Sequence, residues 1–250
     1  MRRRLAFLAF AWVLLGTGAA RGAEVSVAVA ANFAGTMQKI APAFEQATGH
    51  RAVVAIGSTG RFYAQIRNGA PFHVLLSADD ETPARLEREG RAVPGTRFTY
   101  ALGRLVLWSR QAGLVDGQGE VLRSGRIERL ALADPRLAPY GAASVQVMER
   151  LGVLERLRPR LVQGESIGQA FQFVASGNVP VGFVALSQLR AGAAPAGGSH
   201  WVVPEALHEP LRQDAVVLEA GRDNPAAQAL MRFLRSDEAR AIIGAQGYAF

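Results

Sequence analysis

One polar residue separates two periodicities near the start of this chain. From Val25 to Ala31 the run is almost wholly apolar, with β-branched valines at 25, 27 and 29. That is the pattern of a strand covered on both faces. Phe33, Met37, Ile40 and Phe44 then recur at spacings of four, three and four, the stripe of an amphipathic helix. Asn32 stands between the two patterns, and Asn is a favoured N-cap. The sequence therefore predicts a buried strand running straight into a helix capped at Asn32. Such a junction leaves backbone N–H groups at the carboxyl end of a sheet, where α/β proteins collect ligands.

The device recurs along the chain. Ala52 to Ile56 predicts a second strand, ending at Gly57-Ser58-Thr59-Gly60 before a helix with Phe62, Tyr63 and Ile66 on one side. Val74 to Ser77 predicts a third strand. Thr82-Pro83 predicts a cap with proline at the first helical position, and Gly90 a helix end. This β-α-β-α-β-α rhythm predicts an α/β fold with a mostly parallel sheet flanked by helices. Phe98 to Trp108 is a longer apolar segment broken at Gly103-Arg104, suited to crossing from one lobe to another. Further strands are expected at 130–133, 161–162, 181–185, 202–203 and 215–218. Residues 191–199 read as an Ala/Gly/Pro surface loop. Asn224-Pro225 and Ser236 are expected to open the last two helices. Four polar strand-to-helix junctions stand out: Asn32, Ser58-Thr59, Tyr140 and Ser166-Ile167. If the middle of the chain forms its own lobe, the four face one another across a cleft.

The first residues do not belong to that core. Arg2-Arg3-Arg4 precede an apolar run from Leu5 to Leu15, too short to span a bilayer, and small residues follow to Ala23. This predicts a secretory signal peptide over residues 1–22, cleaved at about residues 20–23, with Ala20 and Gly22 the better-placed sites. The leader also explains the charge. The formal net charge of +7 falls to +3 without Arg2, Arg3, Arg4 and Arg21. The remaining arginines are interleaved with Glu and Asp, so no basic stripe survives to track nucleic acid. The chain has no cysteine, and its length is sufficient for a core that needs no disulfide. The expectation is a soluble, monomeric protein of a bacterial periplasm.

Several motifs together resemble a known family. They are Ala30-Ala31-Asn32-Phe33, the run from Gly57 to Ile66, Gly69-Ala70-Pro71 with Ser77-Ala78-Asp79, Asp134-Pro135 with Ala138-Pro139-Tyr140-Gly141, and Gly247-Tyr248. Their order resembles that of the periplasmic molybdate-binding proteins of ABC transporters. The resemblance implies a two-lobed type II periplasmic binding fold, with lobes at 23–102 plus 213–250 and at 103–212. It implies a tetrahedral oxyanion as ligand, molybdate or tungstate, delivered to a membrane permease. It implies no cofactor, no catalysis and no direct protein ligand to the molybdenum. By position, Asn32 and Thr59 would hold the anion through side chain and backbone, with Ser58 alongside. Tyr140 and Ile167 would contribute backbone N–H groups. Some members supply a tyrosine hydroxyl where this chain has Ala185, and His73 stands where an aspartate is expected.

Physical chemistry supports such a site independently. A helix N-terminus offers free N–H groups and a partial positive charge, so several converging on a dianion offset its charge without Lys or Arg. Sulfate or another small oxyanion is the alternative ligand, with cavity size as the discriminator. Arg61, in the first turn of its helix, either steers the anion or is solvated. A different class of reading rests on Gly164-Glu165-Ser166-Ile167-Gly168, which matches the nucleophile elbow of secreted serine hydrolases. Ser166 would be the nucleophile, with His200 or His208 and Glu205 completing a triad. Against it, the acid should precede the histidine, and no second oxyanion-hole motif is present. The four histidines have no metal-ligand spacing.

Overall fold

Two five-stranded sheets of the same topology carry the chain. The computed structural model describes residues 22–192 and 197–250. The expected leader, Gly22 apart, and residues 193–196 of the expected Ala/Gly/Pro loop lie outside the described residues. The elements run β1 Glu24–Ala30, α1 Ala34–Thr48, β2 Arg51–Gly57, α2 Thr59–Arg67, β3 Val74–Leu76, α3 Glu81–Arg88, β4 Phe98–Gly103 and β5 Leu105–Ser109. They continue β6 Leu130–Ala133, α4 Pro139–Arg150, α5 Leu154–Leu157, β7 Leu161–Gly164, α6 Ile167–Ala175, β8 Val181–Ala185, α7 Leu186–Arg190 and β9 Ser199–Val202. The last are β10 Leu211–Val217, α8 Pro225–Phe233 and α9 Asp237–Ala245.

The first sheet has the order β2-β1-β3-β10-β4 and the second β7-β6-β8-β5-β9. In each, three neighbouring strands are parallel, and the fourth is antiparallel to both of its neighbours. Four strands in each sheet thus point one way. The fourth strand is also the newcomer. The chain leaves the first sheet after β4 and enters the second as β5, with only Arg104 between. It returns from β9 to β10 through residues 203–210.

Side-chain alternation places a core on both faces of each sheet. Val25, Val27 and Val29 pack with Phe33, Met37, Ile40 and Phe44 of the helix that follows and with Leu230 and Phe233 of α8. Ala28 and Leu75 face the other way, against Phe62 and Ile66 of α2 and Leu86 of α3. In the second sheet Leu105, Leu107, Leu130 and Leu132 meet α4, while Val106, Trp108 and Ala131 meet α6. The inner strands are therefore covered on both sides, whereas the edge strand β2 leaves Val53, Val54 and Ile56 exposed.

Three expected caps take a different form. Asn32 does not cap a helix: Ala31–Phe33 form a 3-10 turn, α1 starts at Ala34, and neither boundary has a side-chain cap bond. Its amide is drawn instead into a buried network, donating to Gln213 Oε1 at 2.9 Å and to the Tyr248 hydroxyl at 3.0 Å. Thr82 lies inside α3, because the Asp79 carboxylate takes the capping role by accepting from Thr82 N at 2.9 Å and Thr82 Oγ1 at 3.1 Å. At α4 the N-cap is Ala138, with Pro139 first and Tyr140 second in the helix. Ser166, Asn224 and Ser236 cap α6, α8 and α9 through their side chains as expected.

Candidate functional site

The carboxyl ends of β1, β2, β6 and β7 each run into a helical turn, and the four turns meet. A small cavity between the two sheets is lined from the first by Ala30, Ala31, Asn32, Ser58, Thr59 and Ala78. Ala138, Pro139, Tyr140 and Ile167 line it from the second. All five residues singled out from the sequence, Asn32, Ser58, Thr59, Tyr140 and Ile167, are thus brought together. The cavity is small, about 10 Å³, room for about one water molecule with the two sheets this close. None of the ten lining residues is charged.

The donors follow from local structure. Thr59 and Ile167 are the first residues of α2 and α6, and Tyr140 is the second of α4. Their N–H groups precede the first turn and have no carbonyl four residues back. Ser58 occupies the N-cap position of α2 in an extended conformation, yet its hydroxyl makes no capping bond. Its Oγ is buried without a hydrogen-bond partner. Thr59 Oγ1 accepts from the Ala78 N–H at 3.0 Å. Ser77 donates to the Asp79 carboxylate at 3.0 Å. The Thr59 hydroxyl proton then has only Ser77 Oγ beside it, at a long 3.4 Å, so it can turn to a ligand oxygen. The helix ends add their dipoles, so the cavity is electropositive without a cation.

Buried hydroxyls and amides surround Asn32. Its backbone carbonyl accepts from Ser187 Oγ at 2.8 Å and from the Tyr248 hydroxyl at 2.9 Å. Gln213, on β10, accepts from Asn32 Nδ2 and from the Tyr100 hydroxyl at 3.1 Å, and its Nε2 donates to the Tyr140 hydroxyl at 3.1 Å. Gly103 has no room for a side chain: a Cβ there would lie 2.2 Å from the Tyr140 hydroxyl and 2.4 Å from Gln213 Nε2. Burial pushes the phenols of Tyr100 and Tyr140 well above their usual range and that of Tyr248 up to about 12. All three remain neutral hydrogen-bonding groups at physiological pH. Gln213, Tyr100 and Ser187 were not singled out from the sequence. The available signal was Gln213-Asp214, a polar pair interrupting a strand otherwise apolar from Ala215 onward.

Other candidates are placed elsewhere. Ala185 ends β8 outside the cavity, and its N–H donates to Gln188 Oε1 at 2.9 Å. Gln188 Nε2 in turn donates to the Ile167 carbonyl at 3.1 Å, which steadies the start of α6. Arg61 forms an exposed ion pair with Glu165 across the two sheets rather than lining the cavity. His73 is built into the first sheet: its Nδ1 accepts from Ser26 N at 3.0 Å. The hydrolase reading does not survive. Ser166 Oγ accepts from Gln169 N at 3.2 Å as a helix cap. His200 lies exposed on β9, and His208 bonds the Glu209 carbonyl at 2.7 Å. No group of three His, Cys, Asp or Glu side chains suited to a metal gathers among the described residues.

Comparison with known proteins gives a consistent answer. The family profile of bacterial extracellular solute-binding proteins matches residues 25–249. The molybdate-binding protein ModA of Azotobacter vinelandii is 55% identical over 240 residues, covering 94% of this chain and 95% of that protein. ModA of Rhodobacter capsulatus is 50% identical over 229 residues, with 92% and 89% covered. Among solved structures, the periplasmic molybdate-binding protein of Azotobacter vinelandii superposes with a TM-score of 0.87 at 44% identity. That match covers 90% of this chain and 99% of the other.

Proposed function

The chain belongs to the bacterial extracellular solute-binding proteins, and from that premise we propose that it is the molybdate-binding component of an ABC transporter. It binds rather than catalyses. It works in the periplasm as a single copy, without nucleic acid, and hands its ligand to a membrane permease. Tungstate, of the same shape and charge, is a second ligand. The relatives named for molybdate share half or more of their residues with this chain over nearly their whole length, which supports the ligand.

We assign the anion to the cavity between the sheets. The observation that carries this is the buried Ser58 hydroxyl, which has no partner in the protein and lines a cavity free of charged side chains. An unpaired buried hydroxyl costs about 1–3 kcal/mol, and a ligand oxygen removes that cost. Ser58 and Thr59 donate from one lobe, residues 23–102 with 213–250. The N–H groups of Tyr140 and Ile167 donate from the other, residues 103–212. Asn32 contributes from the first lobe. Donors from both lobes make the closed form the bound form, so release follows when the lobes part. Neutral donors hold a dianion firmly without a fixed counter-charge that would oppose release. Cavity size excludes larger oxyanions and leaves smaller ones, such as sulfate, with longer and weaker bonds.

A thermal-shift screen of oxyanions on the mature protein tests this reading, because a ligand specific to the native state raises the melting temperature. Molybdate and tungstate are expected to raise it more than sulfate or phosphate at equal concentration. A larger shift with sulfate than with molybdate would contradict the assignment.

A further inference from the structure

Asn32 lines the cavity with an amide whose two ends are unequally served. Both protons on Nδ2 are taken, one by Gln213 Oε1 at 2.9 Å and one by the Tyr248 hydroxyl at 3.0 Å. Oδ1 is buried with no partner. The free end of this amide is thus an acceptor, which an oxyanion cannot use.

The network behind Asn32 carries a second imbalance. Gln213 is fully buried. Its Nε2 donates to the Tyr140 hydroxyl at 3.1 Å, and the Tyr140 proton has no acceptor among the hydrogen bonds of the described residues. Its Oε1 lies in reach of the Tyr100 hydroxyl at 3.1 Å, but that hydroxyl also has the Ser77 carbonyl at 2.9 Å and only one proton to give. Buried polar groups are nearly always paired, so an orphan oxygen and an orphan proton in one network call for an explanation.

Turning both amides over removes both orphans. Asn32 Oδ1 then accepts from Gln213 Nε2 and from the Tyr248 hydroxyl. The second Gln213 proton goes to the Tyr100 oxygen, whose own proton keeps the Ser77 carbonyl. Tyr140 donates to Gln213 Oε1. The Asn32 carbonyl, released by Tyr248, keeps its bond from Ser187 Oγ at 2.8 Å. Nδ2 of Asn32 becomes the free end and offers two protons to the anion.

We propose that Gln213 is a positioning residue that sets, by a paired rotation with Asn32, which end of the Asn32 amide meets the anion. The inference rests on the assignment of molybdate to this cavity. Because Tyr140 stands on α4 and Gln213 on β10, the pairing also spans the two lobes. The donor-outward sense is thus completed only when the lobes are together.

Proton NMR of the mature protein, with side-chain amides labelled, reads the two senses directly. On saturation with molybdate the Gln213 NH2 protons are expected to contact the Tyr100 ring rather than the Tyr140 ring, and the Asn32 NH2 signals should shift from their ligand-free positions. A Gln213→Met variant, similar in length but without either amide group, should bind molybdate at least tenfold more weakly. Gln213 contacts that stay with Tyr140 in the molybdate complex would overturn the proposal, as would native affinity in Gln213→Met. Should molybdate leave the backbone amide signals of Ser58, Tyr140 and Ile167 unmoved, the site assignment itself fails and this inference falls with it.

Discussion

Ser58 is only 3% exposed, and its hydroxyl sits where a helix cap normally bonds its own backbone yet bonds nothing. Ser166, in the equivalent position at α6, does cap its helix. Two serines at similar junctions thus differ: one is bonded to its own helix, and the other has a hydroxyl left for a ligand, as the proposed site requires. Ser58→Ala should weaken molybdate binding by about 1.5–3 kcal/mol, the worth of a hydrogen bond to a charged group, while leaving the melting temperature of the ligand-free protein unchanged or raised. Titration of the variant checks the first part and a thermal melt the second. The five candidate positions that line the cavity were legible in the sequence because each stands at a polar break between a strand and a helix. The role of Asn32 was only half legible. Its capping propensity is a local property, whereas its actual bonds run to Gln213 and Tyr248, 181 and 216 residues away. No local pattern announces a partner at such separation.

The helices owe their aim to how the strands deliver them. Val25, Val27 and Val29 bury one face of β1 against the helix that follows it, and so fix where the Asn32 turn ends up. Gly141 shows how close the second sheet brings α4: a Cβ there would lie 2.3 Å from the Ala133 carbonyl oxygen at the end of β6. The start of α6 is held by the Ser166 cap and by Gln188. Ser166→Ala should lower global stability by about 1 kcal/mol, the usual value of a side-chain cap. Its effect on molybdate affinity should be smaller than that of Ser58→Ala, since its own bond goes to Gln169. Chemical denaturation and titration of the same variant check both statements. Periodicity located the inner strands because they are buried on both faces, and the helices because each buries one apolar stripe, as α1 does with Met37, Ile40 and Phe44. Helix starts were less legible. Asp79 caps α3 from two residues before it begins, so the Thr82-Pro83 signal pointed two residues too late.

The two sheets meet through few direct bonds, and these lie around the cavity. The Gly60 N–H donates to the Leu137 carbonyl at 2.9 Å, and a Cβ on Gly60 would stand 3.0 Å from both Cα and O of Leu137. Gly60→Ala should therefore obstruct the closed form only. It is expected to weaken molybdate binding at least tenfold, chiefly through faster release, while the ligand-free melting temperature stays within about 2 °C. Stopped-flow dissociation and a thermal melt separate the two effects. The buried tyrosines give the molecule an alkaline limit. Burial holds the Tyr248 phenol protonated up to about 12 in the folded chain, against a usual value of 10.0, and those of Tyr100 and Tyr140 rise as well. The unfolded chain releases these protons first, so their contribution is complete below about pH 10 and declines as pH rises toward 12. Denaturation midpoints should accordingly fall across that window, with less loss in Tyr248→Phe. A parallel sheet flanked by helices was legible in the repeated strand–turn–helix rhythm, and the second sheet in the family resemblance. The antiparallel fourth strand of each sheet was not, since β5 and β10 read locally like any other apolar strand. Calorimetric titration of the mature protein with molybdate, run beside sulfate, tests the central claim most directly. One saturating molybdate site per chain, bound more tightly than sulfate, is the predicted result; no saturable molybdate binding, or sulfate bound equally well, would contradict it.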